Sequence, residues 1–179
     1  MPTFSFPAAF DDPGAHPEAV RLMFELGRVV FAAHLLERKA ANLWMDLSPE
    51  PAVLTPKTGF PPWNELISKL TATVETELAR ETIIGGLRQA LDKARRAQER
   101  RNRLIHDLTG LDVDQDPPVV VRLEWDPTVR RRCEITETIE AIRAAVDDLT
   151  WAAKNLGHQT GKLRDAGLLH HNVAANDFD

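Results

Sequence analysis

The chain has 179 residues, the length of one domain with a hydrophobic core of ordinary size. Hydrophobic residues make up 43% of it and charged residues 27%, which is a globular composition and excludes a disordered chain. A net charge of −5 argues against non-specific nucleic-acid binding over a positive surface, although it leaves room for a local basic cleft. The single cysteine excludes an intramolecular disulfide framework and a multi-cysteine zinc site.

The sequence shows neither a membrane span nor a secretion signal. No apolar run approaches transmembrane length, and residues 1–12 lack the basic segment and cleavage pattern of a signal peptide. A single cysteine also suits a reducing compartment. We therefore expect a cytoplasmic protein with no membrane contact.

The first part of the chain predicts an irregular arm and two helices. Residues 1–16 contain prolines and phenylalanines without periodicity and are assigned to the arm. Helix one is predicted over residues 17–47. Its apolar stripe, interrupted by Glu37, is Met23, Leu26, Val30, Ala33, Glu37, Ala40, Trp44 and Leu47. Five prolines then predict a loop over residues 48–62, and helix two follows over residues 63–78.

Helix three is predicted over residues 80–107. Gly85 and Gly86 weaken its beginning, so a break or a close packing contact is expected there, and Gly110 supplies a stop. Its apolar stripe consists of Ile84, Leu87, Leu91, Ala94, Gln98, Arg101, Ile105 and Leu108. Arg101 is therefore predicted to point inward, where an apolar residue is expected.

A small β-hairpin is predicted between helix three and the last helix. Residues 119–125 are β-like in composition, residues 126–128 form a turn, and residues 129–135 pair back as a second strand. Helix four is predicted to begin near Thr136, which acts as its N-cap. Its stripe is Ile139, Ile142, Val146, Leu149, Ala153 and Leu156, and a weaker extension, flanked by Gly157 and Gly161, is predicted to reach Leu169.

These elements predict a mainly all-α fold with long first and third helices and a small hairpin insert. We assign the helical domain to residues 17–163 and a flexible tail to residues 164–179.

The end of helix three holds the most informative segment, Arg101-Asn102-Arg103-Leu104-Ile105-His106. It places an arginine, an asparagine and a histidine within about one and a half helical turns. Arg101 provides a permanent planar charge that suits phosphate, and His106 can take or give a proton near neutral pH. Asn102 and His106 are four residues apart and share one helix face. These residue types suit acid–base chemistry and anion stabilisation at a phosphodiester.

A structural role is the alternative for the same residues. Arg101 then forms an ion pair, and His106 is a helix-end histidine near the C-terminal dipole. Glu37 interrupts the stripe of helix one as Arg101 interrupts that of helix three, so we predict that they pair, directly or through water or an asparagine. If helix one is rotated, Glu37 instead lies at the edge of its stripe.

The spacing of Arg101, Asn102 and His106 near the end of a long helix resembles the motif of the HEPN superfamily. The resemblance covers residues 17–163 and implies a four-helix bundle that dimerises, so that Arg and His of two protomers meet in one cleft. Many members are metal-independent ribonucleases, often of toxin–antitoxin or antiviral defence systems. Others have lost catalysis and bind only nucleotides or partners.

The resemblance implies an endoribonuclease that uses neither a metal nor another cofactor. The ribose 2′-OH attacks the neighbouring phosphate, His106 moves a proton, Arg101 stabilises the developing charge, and Asn102 orients the histidine or the phosphate. Gln98 and Glu37 are predicted to support this site. A basic run on the same helix is predicted to contact RNA through Arg96, Arg100 and Arg103.

Two other functions stay open at this point. The first is a non-catalytic helical module that binds a nucleotide in the same pocket, or only dimerises and recruits a partner. The second is a structural adaptor in which Arg101 and Glu37 merely fix the bundle. The expected partners are RNA, a second copy of the chain, and an antitoxin or other regulatory protein.

Other motifs are incomplete in this sequence. There is no Gly-rich phosphate loop and no Gly-x-Ser-x-Gly elbow. Asp112, Asp114 and Asp116 lack the glycine and the final glutamate of an EF-hand, and the pair His170-His171 lacks metal-ligand spacing. The basic run 130–132 either extends a basic surface or protects an edge strand from aggregation.

Overall fold

The computed structural model describes residues 17–49, 61–106, 108–112, 119–126, 128 and 130–171. This part of the chain is mainly helical and has four helices, α1 (Pro17–Leu47), α2 (Trp63–Glu77), α3 (Ile84–His106) and α4 (Ile139–Asp165). A small antiparallel sheet precedes α4, with β1 (Leu108–Asp112), β2 (Val119–Asp126) and β3 (Arg131–Glu137) in that spatial order. The predicted helical class and hairpin are confirmed. The predicted arm 1–16 and most of the proline-rich loop 48–62 lie outside the described residues.

Helix α1 has the predicted ends, but its core face is rotated from the predicted one. The buried residues of its core face include Leu22, Leu26, Val29, Ala33, Leu36, Ala40, Leu43 and Leu47. Met23 and Val30, which we placed in the core, are 45% and 44% exposed. Glu37 is half-buried, at the edge of the buried stripe. The rotated alternative therefore describes α1, because a helix with apolar residues on two faces leaves the angular position of its core open.

The junction between α2 and α3 is a short turn. The amide of Glu81 donates to the carbonyl of Leu78 at 3.0 Å, and the amide of Ile84 donates to the carbonyl of Glu81 at 3.3 Å. Helix α3 therefore begins at Ile84 rather than at the predicted residue 80. A Cβ on Gly86 would lie 3.3 Å from Oε1 of Gln159 on α4, so the predicted close packing is confirmed at this glycine.

The sheet contains one strand that the sequence pattern did not predict. Helix α3 ends at His106, and β1 begins two residues later and pairs with β2. Gly110, predicted to stop the helix, instead lies in β1 opposite Val121, where the register shifts between Leu108 and Gly110. The prediction of Gly110 as a helix stop is therefore wrong. A glycine at such an irregularity is typical of a β-bulge.

The hairpin of β2 and β3 is confirmed and runs slightly further than predicted. Its register extends from Val120 opposite Glu137 to Asp126 opposite Arg131. Arg130 in the connection has a φ of 49°, a left-handed conformation that tight hairpin turns require and that side chains seldom adopt.

Helix α4 is capped by Thr138, two residues after the threonine that we predicted. The amide of Ala141 donates to Oγ1 of Thr138 at 3.2 Å, which satisfies one of the free amides of the first turn. Thr136 lies in β3 and pairs with Val121. The prediction of Thr136 as the N-cap is therefore wrong, because this threonine is used by the sheet.

The end of α4 extends beyond the predicted start of the tail at residue 164. The helix ends at Asp165, and Gly167 follows with a φ of 68°. The amide of Leu168 donates to the carbonyl of Leu163, and that of Gly167 to the carbonyl of Arg164, both at 2.9 Å. This Schellman motif ends the helix. The amide of His170 then donates to the carbonyl of Asp46 at 2.8 Å.

The chain divides into two compact units. The first takes the residues up to Ala32 together with Gln98–Asp148, and its core includes Leu22, Leu26, Leu104, Val120, Ile142 and Val146. The second takes Ala33–Ala97 and the residues from Leu149 onward, and its core includes Leu36, Leu70, Leu87, Leu149, Leu156 and Leu163. Among the described residues, no helix has both the length and the apolar character needed to cross a membrane.

Candidate functional site

The last turns of α3 are anchored on the core of the first unit and present a polar edge. Leu104 is buried, with 2% exposure. Arg101, Asn102 and Ile105 are half-buried, and Arg103 is exposed. Arg101 therefore lies at the boundary between core and solvent rather than on the deepest line of the helix. A half-buried arginine in this position presents part of its side chain at the surface.

The guanidinium of Arg101 is held by its neighbour in sequence. Its Nη1 donates to Oδ1 of Asn102 at 2.9 Å. Its Nε is buried, and no hydrogen-bond acceptor for it lies among the described residues. A buried N–H without an acceptor costs about 1–3 kcal/mol. Asn102 thus orients the guanidinium of Arg101, while Nε stays buried.

Asn102 is oriented by the same hydrogen bond. Because its Oδ1 accepts from Arg101, its amide nitrogen is the group that can donate to a ligand or to a histidine. His106 is the last residue of α3 and lies one turn beyond Asn102. The structure describes the backbone of His106 and not its side chain. The contact between Asn102 and His106 therefore stays a prediction.

Helix geometry separates Arg101 from His106 on one helix. Positions 101 and 106 of an ideal helix differ by about 7.5 Å in rise and about 140° in direction, whereas positions 102 and 106 differ in direction by only about 40°.

The two supporting residues that we predicted lie on different elements. Gln98 on α3 is fully buried, one turn before Asn102 and in the same unit. Glu37 on α1 belongs to the second unit. Its predicted pairing with Arg101 stays a prediction.

The three arginines predicted to contact RNA have different surroundings. Arg96 is 73% exposed and pairs with Asp92 at 2.7 Å, while Arg103 is exposed. Arg100 is tied to α4, because its Nη1 bonds Oδ2 of Asp148 at 2.8 Å and its Nη2 donates to the carbonyl of Ala141 at 2.9 Å. Arg100 therefore has a structural role that the sequence pattern did not show.

A buried ion pair of the first unit was missed by sequence reasoning. The carboxylate of Glu25 on α1 is 5% exposed and bonds Nε of Arg143 and Nη1 of Arg28, each at 2.8 Å. Burial pushes the pKa of Glu25 upward, but the hydrogen bonds and charges of Arg143 and Arg28 outweigh it and hold this pKa below its ordinary value. The available signal was the spacing of Glu25 with Leu22 and Val29 on one helix face.

A second buried charge lies in the sheet. The guanidinium of Arg122 on β2 is 9% exposed and bonds Glu124 on the same strand and Glu137 on β3. Burial pushes the pKa of Arg122 downward, whereas both carboxylates raise it, and the net result is a raised pKa. The alternation of Arg122 and Glu124 on one face of a strand was the available signal.

The described residues offer anion-binding and hydrogen-bonding groups. Among them, no cluster of three or more His, Cys, Asp or Glu side chains is arranged to hold a metal ion. The one cysteine, Cys133, is half-buried on β3 and makes no disulfide. No protein-family model, curated protein or solved structure matches this chain.

Proposed function

We propose that the chain is a metal-independent endoribonuclease of the HEPN type. The observation that carries the proposal is the Arg101–Asn102 pair at the end of α3, with a buried Nε–H that lacks an acceptor among the described residues. His106 follows within the same helix, at the spacing of the HEPN motif. A guanidinium oriented by Asn102 suits the charge that develops on a phosphate in phosphoryl transfer.

In the proposed reaction, the ribose 2′-oxygen attacks the adjacent phosphorus and the bond to the 5′-oxygen breaks. His106 accepts the proton of the 2′-OH or donates a proton to the leaving 5′-oxygen. Arg101 binds the non-bridging oxygens as their charge increases. The products are a 2′,3′-cyclic phosphate and a 5′-hydroxyl, and DNA is not cut because it lacks the 2′-OH.

The proposed site contains residues of two protomers. Positions 101 and 106 of an ideal helix differ by about 140° in direction, which favours a site that combines groups from two α3 helices. Two α3 helices related by a two-fold axis supply two arginines and two histidines to one cleft. An antitoxin or other regulatory partner, and a place in a defence system, are implied by the HEPN resemblance alone.

A non-catalytic anion-binding module is the second candidate. The positive charge of Arg101 suits a nucleotide phosphate as well as it suits a transition state. The net charge of −5 favours a small ligand over a long polyanion. This candidate predicts nucleotide binding without cleavage.

The deciding experiment incubates the purified chain with a panel of labelled RNAs in EDTA, after any bound inhibitor is removed. We expect cleavage to products that end in a 2′,3′-cyclic phosphate. His106→Ala should lower the rate by about a hundred- to ten-thousand-fold, as expected for one acid–base residue. Arg101→Ala should be inactive as well.

Two control variants test whether the loss of cleavage is specific to His106 and Arg101. His158→Ala removes an exposed histidine of α4, and Arg88→Ala removes an exposed arginine of α3 that pairs with Glu75. Both should cut RNA at the wild-type rate. Equal rates for the wild type and His106→Ala refute the mechanism. Absence of cleavage, together with calorimetric nucleotide binding that Arg101→Ala abolishes, supports the non-catalytic module.

A further inference from the structure

Helix α1 carries a second apolar face on the side away from its core stripe. The exposed large apolar residues of this helix are Val20, Met23, Phe24, Val30, Phe31 and Leu35. Phe24 and Phe31 are 67% and 66% exposed, which is unusual for phenylalanine. We call these six residues the α1 outer face. They account for six of the eight large apolar side chains that are exposed in the described part of the chain.

Two pairs of residues on the outer face are spaced by seven positions. Met23 and Val30 are seven residues apart, and so are Phe24 and Phe31. Gly27 lies midway between the neighbours Met23 and Phe24 and the neighbours Val30 and Phe31. This period is that of a seam between two packed helices. A Cβ built on Gly27 has nothing within 4 Å, so the backbone of α1 is open to close approach at this point.

The size of the outer face is sufficient for a dimer. Six side chains exposed to this degree present on the order of 600 Å² of apolar surface, the upper end for the largest patch on a monomer. Two copies that cover each other remove about 1,200 Å², the lower limit of specific interfaces. Burial of this surface is therefore strongly favourable for a helix that finds a matching partner.

We propose that the outer face binds the same face of a second copy, with the two α1 helices antiparallel and a two-fold axis near Gly27. About such an axis, the layer of Met23 and Phe24 in one copy meets the layer of Val30 and Phe31 in the other. The face is thus complementary to itself, as an isologous interface must be. Gly27 meets Gly27 and lets the helices approach closely.

Polar side chains limit the apolar part of the outer face. His34 and Arg38 are exposed and lie seven residues after Gly27 and Phe31, so the uninterrupted apolar seam runs from Val20 to Phe31. Beside Gly27, Arg28 is paired with Glu25 of its own chain at 2.8 Å, and Arg143 shares the same carboxylate. This cluster therefore keeps one net positive charge at the edge of the face.

Dimerisation through the outer face does not require RNA cleavage and is measured as mass rather than as activity. The first half of α1 belongs to the same compact unit as residues 98–148, so the unit that carries Arg101 also carries most of the outer face.

The test measures the mass of the full chain by sedimentation equilibrium between about 1 and 50 µM. We expect the wild type to be dimeric in this range. The double variant Phe24→Lys/Phe31→Lys should weaken dimerisation by at least about a hundredfold, because it places charges in a desolvated seam. Trp125→Lys is the matched control, since it changes an exposed aromatic residue of β2 and should leave the dimer intact.

A cross-linking measurement covers the case in which the double variant misfolds. Gly27→Cys in a Cys133→Ser background should form a disulfide between chains, because the axis brings the two Cα atoms within about 7 Å. Phe31→Cys should form less of it, since its equivalent in the second copy lies two turns away. A monomeric wild-type chain overturns the proposal. This holds even if a variant that lacks residues 1–16 does dimerise. A dimer that survives the double variant overturns it too.

Discussion

Glu25 on α1 and Arg143 on α4, 118 positions apart in sequence, form an ion pair with an Oε1–Nε distance of 2.8 Å. The carboxylate is buried, whereas the guanidinium is one-third exposed. Such a pair stabilises the fold because a buried carboxylate without its hydrogen-bond donors is energetically unfavourable. It also ties the first half of α1 to the first turns of α4 within one compact unit.

Glu25→Gln should lower the free energy of unfolding at neutral pH by about 1–3 kcal/mol, since two charge-assisted hydrogen bonds become neutral ones. The arginines hold the pKa of Glu25 below the unfolded value of 4.5, so the stabilisation is complete above that pH. It is lost as the pH falls through the folded pKa. Urea unfolding between about pH 7 and pH 3 measures both effects. Glu134→Gln, an exposed glutamate of β3, is the control and should change little.

Thr138→Ala should lower the free energy of unfolding by about 1 kcal/mol, because it removes the oxygen that caps the first turn of α4. Thr136→Ala changes an exposed threonine of β3 and should cost less than about half of that. Thermal unfolding of the two variants compares them directly. A larger loss for Thr136→Ala contradicts the assignment of Thr138 as the cap.

Gly85→Ala should raise stability by about 0.5–1 kcal/mol, since alanine favours the helix and the added methyl group meets nothing within 4 Å. Gly86→Ala should gain less or lose stability, because its Cβ would lie 3.3 Å from Oε1 of Gln159. Melting temperatures of both variants test this difference. If Gly86→Ala is the more stable of the two, the contact with Gln159 does not constrain α3.

Arg100→Ala should lower stability by about 1 kcal/mol, because it loses the hydrogen bond to the carbonyl of Ala141 and a partly exposed ion pair with Asp148. Arg103→Ala should leave stability within about 0.5 kcal/mol, since this arginine is exposed. If RNA follows the proposed path, Arg103→Ala should weaken its binding and reduce the salt dependence. Unfolding curves and filter binding at two salt concentrations separate the two roles.

Local sequence signals predicted the bounds of an element correctly where one residue type dominates the local conformation. Proline and apolar periodicity predicted both ends of α1 at Pro17 and Leu47, and the start of α2 at Trp63. The β-branched run at residues 119–121 predicted β2. Each of these signals acts within a few residues of chain, so it can be recognised without knowledge of the tertiary structure.

Signals that depend on a distant partner were misassigned. Gly110 and Thr136 suit a helix stop and a cap, yet both are taken into strands by pairing with β2. Strand pairing depends on a second segment, and a helix cap competes with it for the same residues. The rotation of α1 has the same origin. Its two apolar faces are similar in sequence, and only packing selects the face with Leu22 and Leu26 for the core.

The sequence by itself determined the helical class and the Arg101–Asn102–His106 spacing, because periodicity and separation along one helix are local quantities. Only the tertiary structure decided which charges are buried and what they contact. It assigned Glu25 to Arg143 and Arg100 to Asp148, and it left Nε of Arg101 without an acceptor among the described residues. The free energy of a buried charge depends on its solvent exposure and on partners brought from other helices, and neither quantity is encoded in the local pattern of residues.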